Sequence, residues 1–139
     1  MAAKVLDSWA LMAFLQDEPA AEEVEKLLVK AAGKGVTLLL CVVNWGEVYY
    51  SIARAEGEMV AEQKAAELAT LAIEIVPVGA DLRLAREAAR LKAAHKMAYA
   101  DCFAAALAKT RKAELVTGDP KFKEVEPSIK ISWLKATRG

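Results

Sequence analysis

Apolar runs of β type recur along the chain, at 4–6, 36–41, 73–78, 114–117 and 129–133, with helix-patterned stretches between them. The run Val36-Thr37-Leu38-Leu39-Leu40-Cys41 is nearly continuous in apolar residues, the pattern of a strand covered on both faces. The first intervening helix is expected from Ser8, as its cap, through Phe14 and Leu15. The next, over 22–32, puts Val24, Leu27 and Leu28 on one face and ends at Gly33. A third is expected from Asn44, again as cap, to about Glu56, and Gly57 separates it from a fourth over 59–71. A fifth spans 80–96 with an apolar stripe of Leu82, Ala85, Ala89 and Ala93, and an alanine-rich, deeply packed sixth spans 99–112. Strands alternating with helices predict an α/β fold: a mainly parallel sheet sandwiched by helices. With no linker, internal repeat or low-complexity tract, residues 1–139 read as one domain.

Composition narrows the class without choosing within it. At 55% hydrophobic and 27% charged residues the chain is a globular one, not a disordered tail. Lys plus Arg balances Asp plus Glu at 19 each, so there is no global pull toward nucleic acid or membrane. No apolar run approaches the roughly 18 residues of a membrane helix, and residues 1–7 lack the apolar region of a signal peptide, so a cytoplasmic location is expected. Cys41 and Cys102 lie in apolar segments and form no C-x-x-C pair, and with His95 the single histidine, a zinc site lacks ligands.

Candidate chemistry rests on four acids in apolar company. Asp7 closes Lys4-Val5-Leu6, Glu47 is embedded in 41–50, Asp101 interrupts 97–107, and Asp119 follows Leu115-Val116-Thr117-Gly118. Carboxylates in such settings need a partner. Each has an ordinary reading: Asp7 starts a helix, Gly118-Asp119-Pro120 makes a turn, Glu47 forms a capping box with Asn44, and Asp101 bonds the backbone of its helix's first turn. Together they say more. Asp7 and Asp119 fall just past strand ends, Glu47 and Asp101 in the first turns of helices, and in parallel sheets all such positions share one rim. Unit charges about 4 Å apart repel by roughly 4 kcal/mol at an effective dielectric near 20. Such a cluster therefore calls for a protonated member or a cation. All-oxygen donors suit Mg²⁺ or Mn²⁺, which activates water toward a phosphodiester. The Ser8 and Thr117 hydroxyls stand beside two of the acids and can orient a water or cap a helix.

Other features read as structural first. Arg83, Arg86 and Arg90 share a helical face and Lys121 and Lys123 follow Asp119, a solvated basic surface before a phosphate contact. His95 is expected at a helix end, and Trp9, Trp45, Tyr49 and Tyr50 are expected in packing before base stacking.

Four blocks in this order carry a resemblance: Val5-Leu6-Asp7-Ser8 with Ala10-Leu11; Asn44-Trp45-Gly46-Glu47-Val48; Ala100-Asp101-Cys102-Phe103-Ala104-Ala105-Ala106; and Leu115-Val116-Thr117-Gly118-Asp119-Pro120-Lys121-Phe122. Over essentially the whole chain the sequence resembles the PIN-domain family, and within it the VapC-type toxins of VapBC toxin–antitoxin pairs. The resemblance implies a three-layer α/β/α sandwich with a central parallel sheet. It implies a Mg²⁺- or Mn²⁺-dependent endoribonuclease, commonly a homodimer, inhibited by a small antitoxin protein, with RNA as substrate. Asp7, Glu47, Asp101 and Asp119 would be the metal-binding acids and Thr117 the supporting hydroxyl. Trp9 departs from the small residue common after Asp-Ser, which bears on groove shape. Two rivals from other classes are a non-catalytic interaction module on the same fold and a Mg²⁺-binding phospho-acceptor domain. The latter wants paired acids after strand one and a late-strand lysine, where this chain has Asp7 alone and Thr117-Gly118.

Overall fold

A computed structural model describes residues 2–137. Met1, Arg138 and Gly139, the extremities of the expected 1–139 domain, lie outside the described residues. The elements run β1 (Ala3–Leu6), α1 (Ser8–Leu15), α2 (Ala21–Ala32), β2 (Thr37–Cys41), α3 (Val42–Glu56), α4 (Glu58–Ala69), β3 (Ile73–Val76), α5 (Arg83–Ala94), α6 (Tyr99–Arg111), β4 (Glu114–Thr117) and β5 (Ile131–Trp133). A 3-10 helix, Pro120–Val125, joins the last two strands. The five strands form one sheet in the order β3-β2-β1-β4-β5, and every pairing is parallel. The expected α/β sandwich with a central parallel sheet is what the chain forms.

Strand alternation distributes the core. Val5, Leu39 and Leu115 point to one face, where α6 and the buried side of α5 cover them. Leu6, Leu38 and Val116 point to the other, against α1 and α2. Leu40 joins Leu11, Leu15, Val48, Ile52 and Leu68 in a third cluster beneath α3 and α4. The alanine-rich α6 is buried all round at Ala104, Ala105, Ala106 and Ala108. Its short side chains let it pack against β1, β2, β4, α3 and α5 at once. Among the described residues no helix is long and apolar enough to cross a membrane.

Three expectations need correction. Helix α3 starts at Val42, directly off β2, with Cys41 at its N-cap position and no side-chain cap bond. Asn44 is thus inside the helix, and the capping box with Glu47 does not exist. Ser8 does not cap α1 either; Asp7 does, accepting the Ala10 N–H at 2.8 Å. In α5 the buried stripe is Leu84, Ala88 and Leu91, while Leu82 is left-handed at φ 66 and exposed. Alanines on several faces of this helix make the period ambiguous, and the bulkier leucines decide which face turns inward.

The reassigned face has a direct check. Leu91→Ala should destabilise the fold by about 2–5 kcal/mol, whereas Ala89→Ser should change stability by no more than about 0.5 kcal/mol in denaturant titrations.

Candidate active site

The topology makes a crevice before any side chain is considered. From β1 the chain moves outward through β2 to β3, then crosses back to place β4 on the other side of β1. Connections leave the carboxyl ends of β1 and β4 in opposite directions, the switch point at which parallel sheets build their sites. Asp7 follows β1 directly, and Thr117 ends β4 with Asp119 two residues on.

Asp7 is the fixed element. It is 1% exposed, on a floor of apolar strand residues. One carboxylate oxygen accepts the Ala10 N–H and the other accepts the Thr117 hydroxyl at 2.5 Å, a contact spanning 110 residues of sequence. The fully buried Thr117 Oγ1 in turn accepts the Asp119 N–H at 3.0 Å. Asp119 accepts the Lys121 N–H at 3.0 Å and so caps the 3-10 helix. A single relay of hydrogen bonds thus links β1, α1, β4 and the following turn. Thr117 spends its one proton on Asp7, which fixes Asp7 as the acceptor.

Glu47 and Asp101 enter from the helices. Asp101 lies in the first turn of α6, as expected, but Glu47 lies in the second turn of α3 because that helix begins earlier. Both are half-buried, and neither side chain has a hydrogen bond or ion pair among the described residues. The surroundings make ionisation costly for Asp7 and for Asp101. Burial first, then the negative charges of Asp101 and Asp119, push the Asp7 carboxyl up to about 7, against the pull of Thr117 and Ala10. Asp101 is raised to about 6 by burial and by repulsion from Glu47 and Asp119, with Lys121 opposing. Asp7, Asp101 and Asp119 therefore lie within electrostatic reach of one another, and Glu47 within reach of Asp101.

They are not drawn together into a ligand shell. Among the described residues no three acidic, histidine or cysteine side chains are gathered closely enough to hold an ion as they stand. The donor set still fits a hard divalent cation. It is wholly carboxylate, two of its members are half-buried without a partner, and burial, with repulsion from neighbouring acids, holds a proton on Asp7. Asp7 is pinned, while Glu47, Asp101 and Asp119 are part-exposed.

Trp9 shapes the rim. Its indole lies across Gly118 so closely that a methyl group on that Cα would overlap the ring. The bulky residue after Asp7-Ser8 is thus accommodated by a glycine two residues before Pro120. Trp45 stacks on Tyr49 with ring centroids 5.5 Å apart, in the packing role expected of them. His95 ends α5 and approaches Glu124 at 3.2 Å. Sequence reasoning overlooked the buried side chain of Asn44, whose bonds to Ser8 and Ala100 bring α3 against α1 and α6. Its signal was a polar residue inside an apolar run.

The family model of the PIN domain matches residues 4–126, and the chain belongs to the PIN-domain family. Its fold is that of solved VapBC proteins. VapBC2 of Rickettsia felis bound to a promoter DNA fragment superposes with a TM-score of 0.73 at 17% identity, covering 96% of this chain and 99% of that one. DNA-bound VapBC of Salmonella typhimurium gives 0.74 at 16%, over 95% and 98%. VapC20 of Mycobacterium tuberculosis, a sarcin–ricin loop cleaving toxin, gives 0.68 at 18%, over 88% and 94%. No curated protein matches the sequence significantly.

Two outcomes follow from the geometry. In metal-free protein, Asp7 keeps its proton on folding up to about pH 7 but releases it near 3.8 when unfolded. Its contribution to stability is therefore greatest below pH 3.8 and is lost as pH rises through 7. Asp7→Asn, which cannot ionise, should flatten that decline, read from urea titrations across pH. Gly118→Ala should cost about 1–3 kcal/mol through overpacking, with a shifted tryptophan fluorescence maximum as Trp9 is displaced.

Proposed function

We propose that this chain is a Mg²⁺- or Mn²⁺-dependent endoribonuclease, the toxin of a type II toxin–antitoxin pair. The observation carrying the reading is the buried Asp7 carboxyl, bonded to Thr117 and Ala10 and repelled by Asp101 and Asp119, with Glu47 acting in turn on Asp101. Asp7, Glu47, Asp101 and Asp119 would hold the cation. Once bound, a divalent ion lowers the pKa of a coordinated water and stabilises charge on the phosphodiester.

The chain's own residues have separable tasks. Thr117, through its hydroxyl, orients the Asp7 carboxylate and ties it to Asp119. Burial of Asp7 keeps it dry, so a cation drawn to it gains more from each contact than in water. Asp101 and Glu47, part-exposed and without a hydrogen-bond partner among the described residues, are free to turn toward an incoming ion or water. Lys121 stands near enough to Asp101 to offset its charge and is placed to meet a substrate phosphate.

RNA as the substrate is supported by family membership and by the likeness in fold to the sarcin–ricin loop cleaving toxin. A small antitoxin partner is supported by the VapBC complexes that share the fold. We further propose a homodimer, as the family resemblance implies, and, from the sequence pattern, a single domain over residues 1–139 and a cytoplasmic location. A second reading, a non-catalytic interaction module, is favoured by the open spacing of the acids. Metal-dependent cleavage separates the two.

Asp101→Asn should leave the circular dichroism spectrum unchanged. It should also lower Mn²⁺-dependent cleavage of structured RNA by more than the roughly 10–100-fold typical of losing a ligand's supporting partner. Undiminished cleavage in this variant, or cleavage insensitive to EDTA in the native chain, would contradict the assignment.

A further inference from the structure

A carboxylate site assembled from α1, α3 and α6 works only if the three helices keep a fixed relation. One side chain outside the acid set touches all three. Asn44, fully buried, is the third residue of α3 and stands one turn before Glu47. Its Nδ2 donates to Ser8 Oγ at 3.1 Å and to the Ala100 carbonyl at 3.0 Å. Ser8 Oγ donates back to the Asn44 carbonyl at 3.5 Å. Ser8 is the neighbour of Asp7, and Ala100 the neighbour of Asp101. Both amide protons are thus used on acceptors that sit beside metal-site acids, which also fixes the orientation of the amide.

Nothing local asks for asparagine here. It is a poor residue for a helix interior, and it caps nothing, since the N-cap position of α3 is Cys41. Its Oδ1 is buried without a hydrogen-bond partner among the described residues. An apolar side chain of similar size would avoid that cost. Asparagine at this point therefore serves its tertiary contacts.

We propose that Asn44 is a positioning residue for the acidic site, setting the separation of Asp7, Glu47 and Asp101 by clamping α3 to Ser8 and Ala100. The inference rests on the metal-dependent reading above and adds a residue outside the ligand set. A purely structural role would lower stability without changing ion affinity; a positioning role lowers affinity in a chain that stays folded. Partners that orient ligands without touching the ion typically contribute 10–100-fold in metal affinity or activity.

The test compares Mn²⁺ titration calorimetry on the native chain, Asn44→Leu, Ser8→Ala and Leu28→Ala. Leu28, on the buried face of α2, takes no part in these contacts and reports the effect of lost stability alone. Asn44→Leu should bind Mn²⁺ about 10–100-fold more weakly, Ser8→Ala should lose less in the same direction, and Leu28→Ala should match the native chain. If Asn44→Leu does not fold, the loss or retention of affinity in Ser8→Ala decides the question. Native affinity in both Asn44→Leu and Ser8→Ala would overturn the positioning role while leaving the metal reading standing. Equal loss in Leu28→Ala would overturn it as well. No Mn²⁺ binding by the native chain would remove the metal reading and this inference with it.

Discussion

The hydrogen bond from Thr117 to the buried carboxylate of Asp7 is the contact on which the rest of this site depends. An aspartate at 1% exposure, among apolar strand residues, is a poor choice for stability. It is tolerable because both oxygens accept a donor, one from the first turn of α1 and one from the end of β4. The helix N-terminus adds a favourable field for negative charge. Even so, burial and the neighbouring acids hold its proton to about 7. Two donors moderate the strain, but they do not remove it. A divalent cation would.

The sheet order turns that local arrangement into a site. Because β4 sits beside β1 and parallel to it, the ends of the two strands meet at the point where the chain's connections diverge. Asp7 and Asp119 are brought within electrostatic reach from opposite thirds of the sequence. The alanine faces of α6 let it pack closely on β1 and α3, which carries Asp101 to the same rim. Gly118 serves the same end from the other side, making room for the Trp9 indole across the strand end. Packing and chemistry are here one problem: small residues at the helix and turn set how near the acids can come.

Much of this was legible in the sequence, and the reason differs by residue. The strand over Glu114–Thr117 was read to the residue, because an apolar run bounded by Ala113 and Gly118-Asp119-Pro120 leaves little choice. Asp7 and Asp101 stood out because their neighbours were apolar, and their neighbours became the core. The start of α3 was misread because an Asn three residues before a Glu has the form of a cap, whereas β2 runs straight into the helix. The inward face of α5 was misread because alanine satisfies both faces of a helix equally. Least legible were Thr117 with Asp7 and Asn44 with Ala100, since no local period encodes a bond across 110 or 56 residues. Those contacts belong to topology, and a linear pattern carries topology only through the order of its strands.

The central claim, that a divalent cation resolves the repulsion among Asp7, Glu47, Asp101 and Asp119, is tested most directly by anomalous diffraction at the manganese edge. The measurement would use crystals of the native chain grown with Mn²⁺. A peak bounded by these four carboxylates, with Asp7 unmoved and the part-exposed three turned inward, is the predicted result. A map with no peak in the crevice, or with manganese held by other residues while the four acids stay apart, would contradict the account.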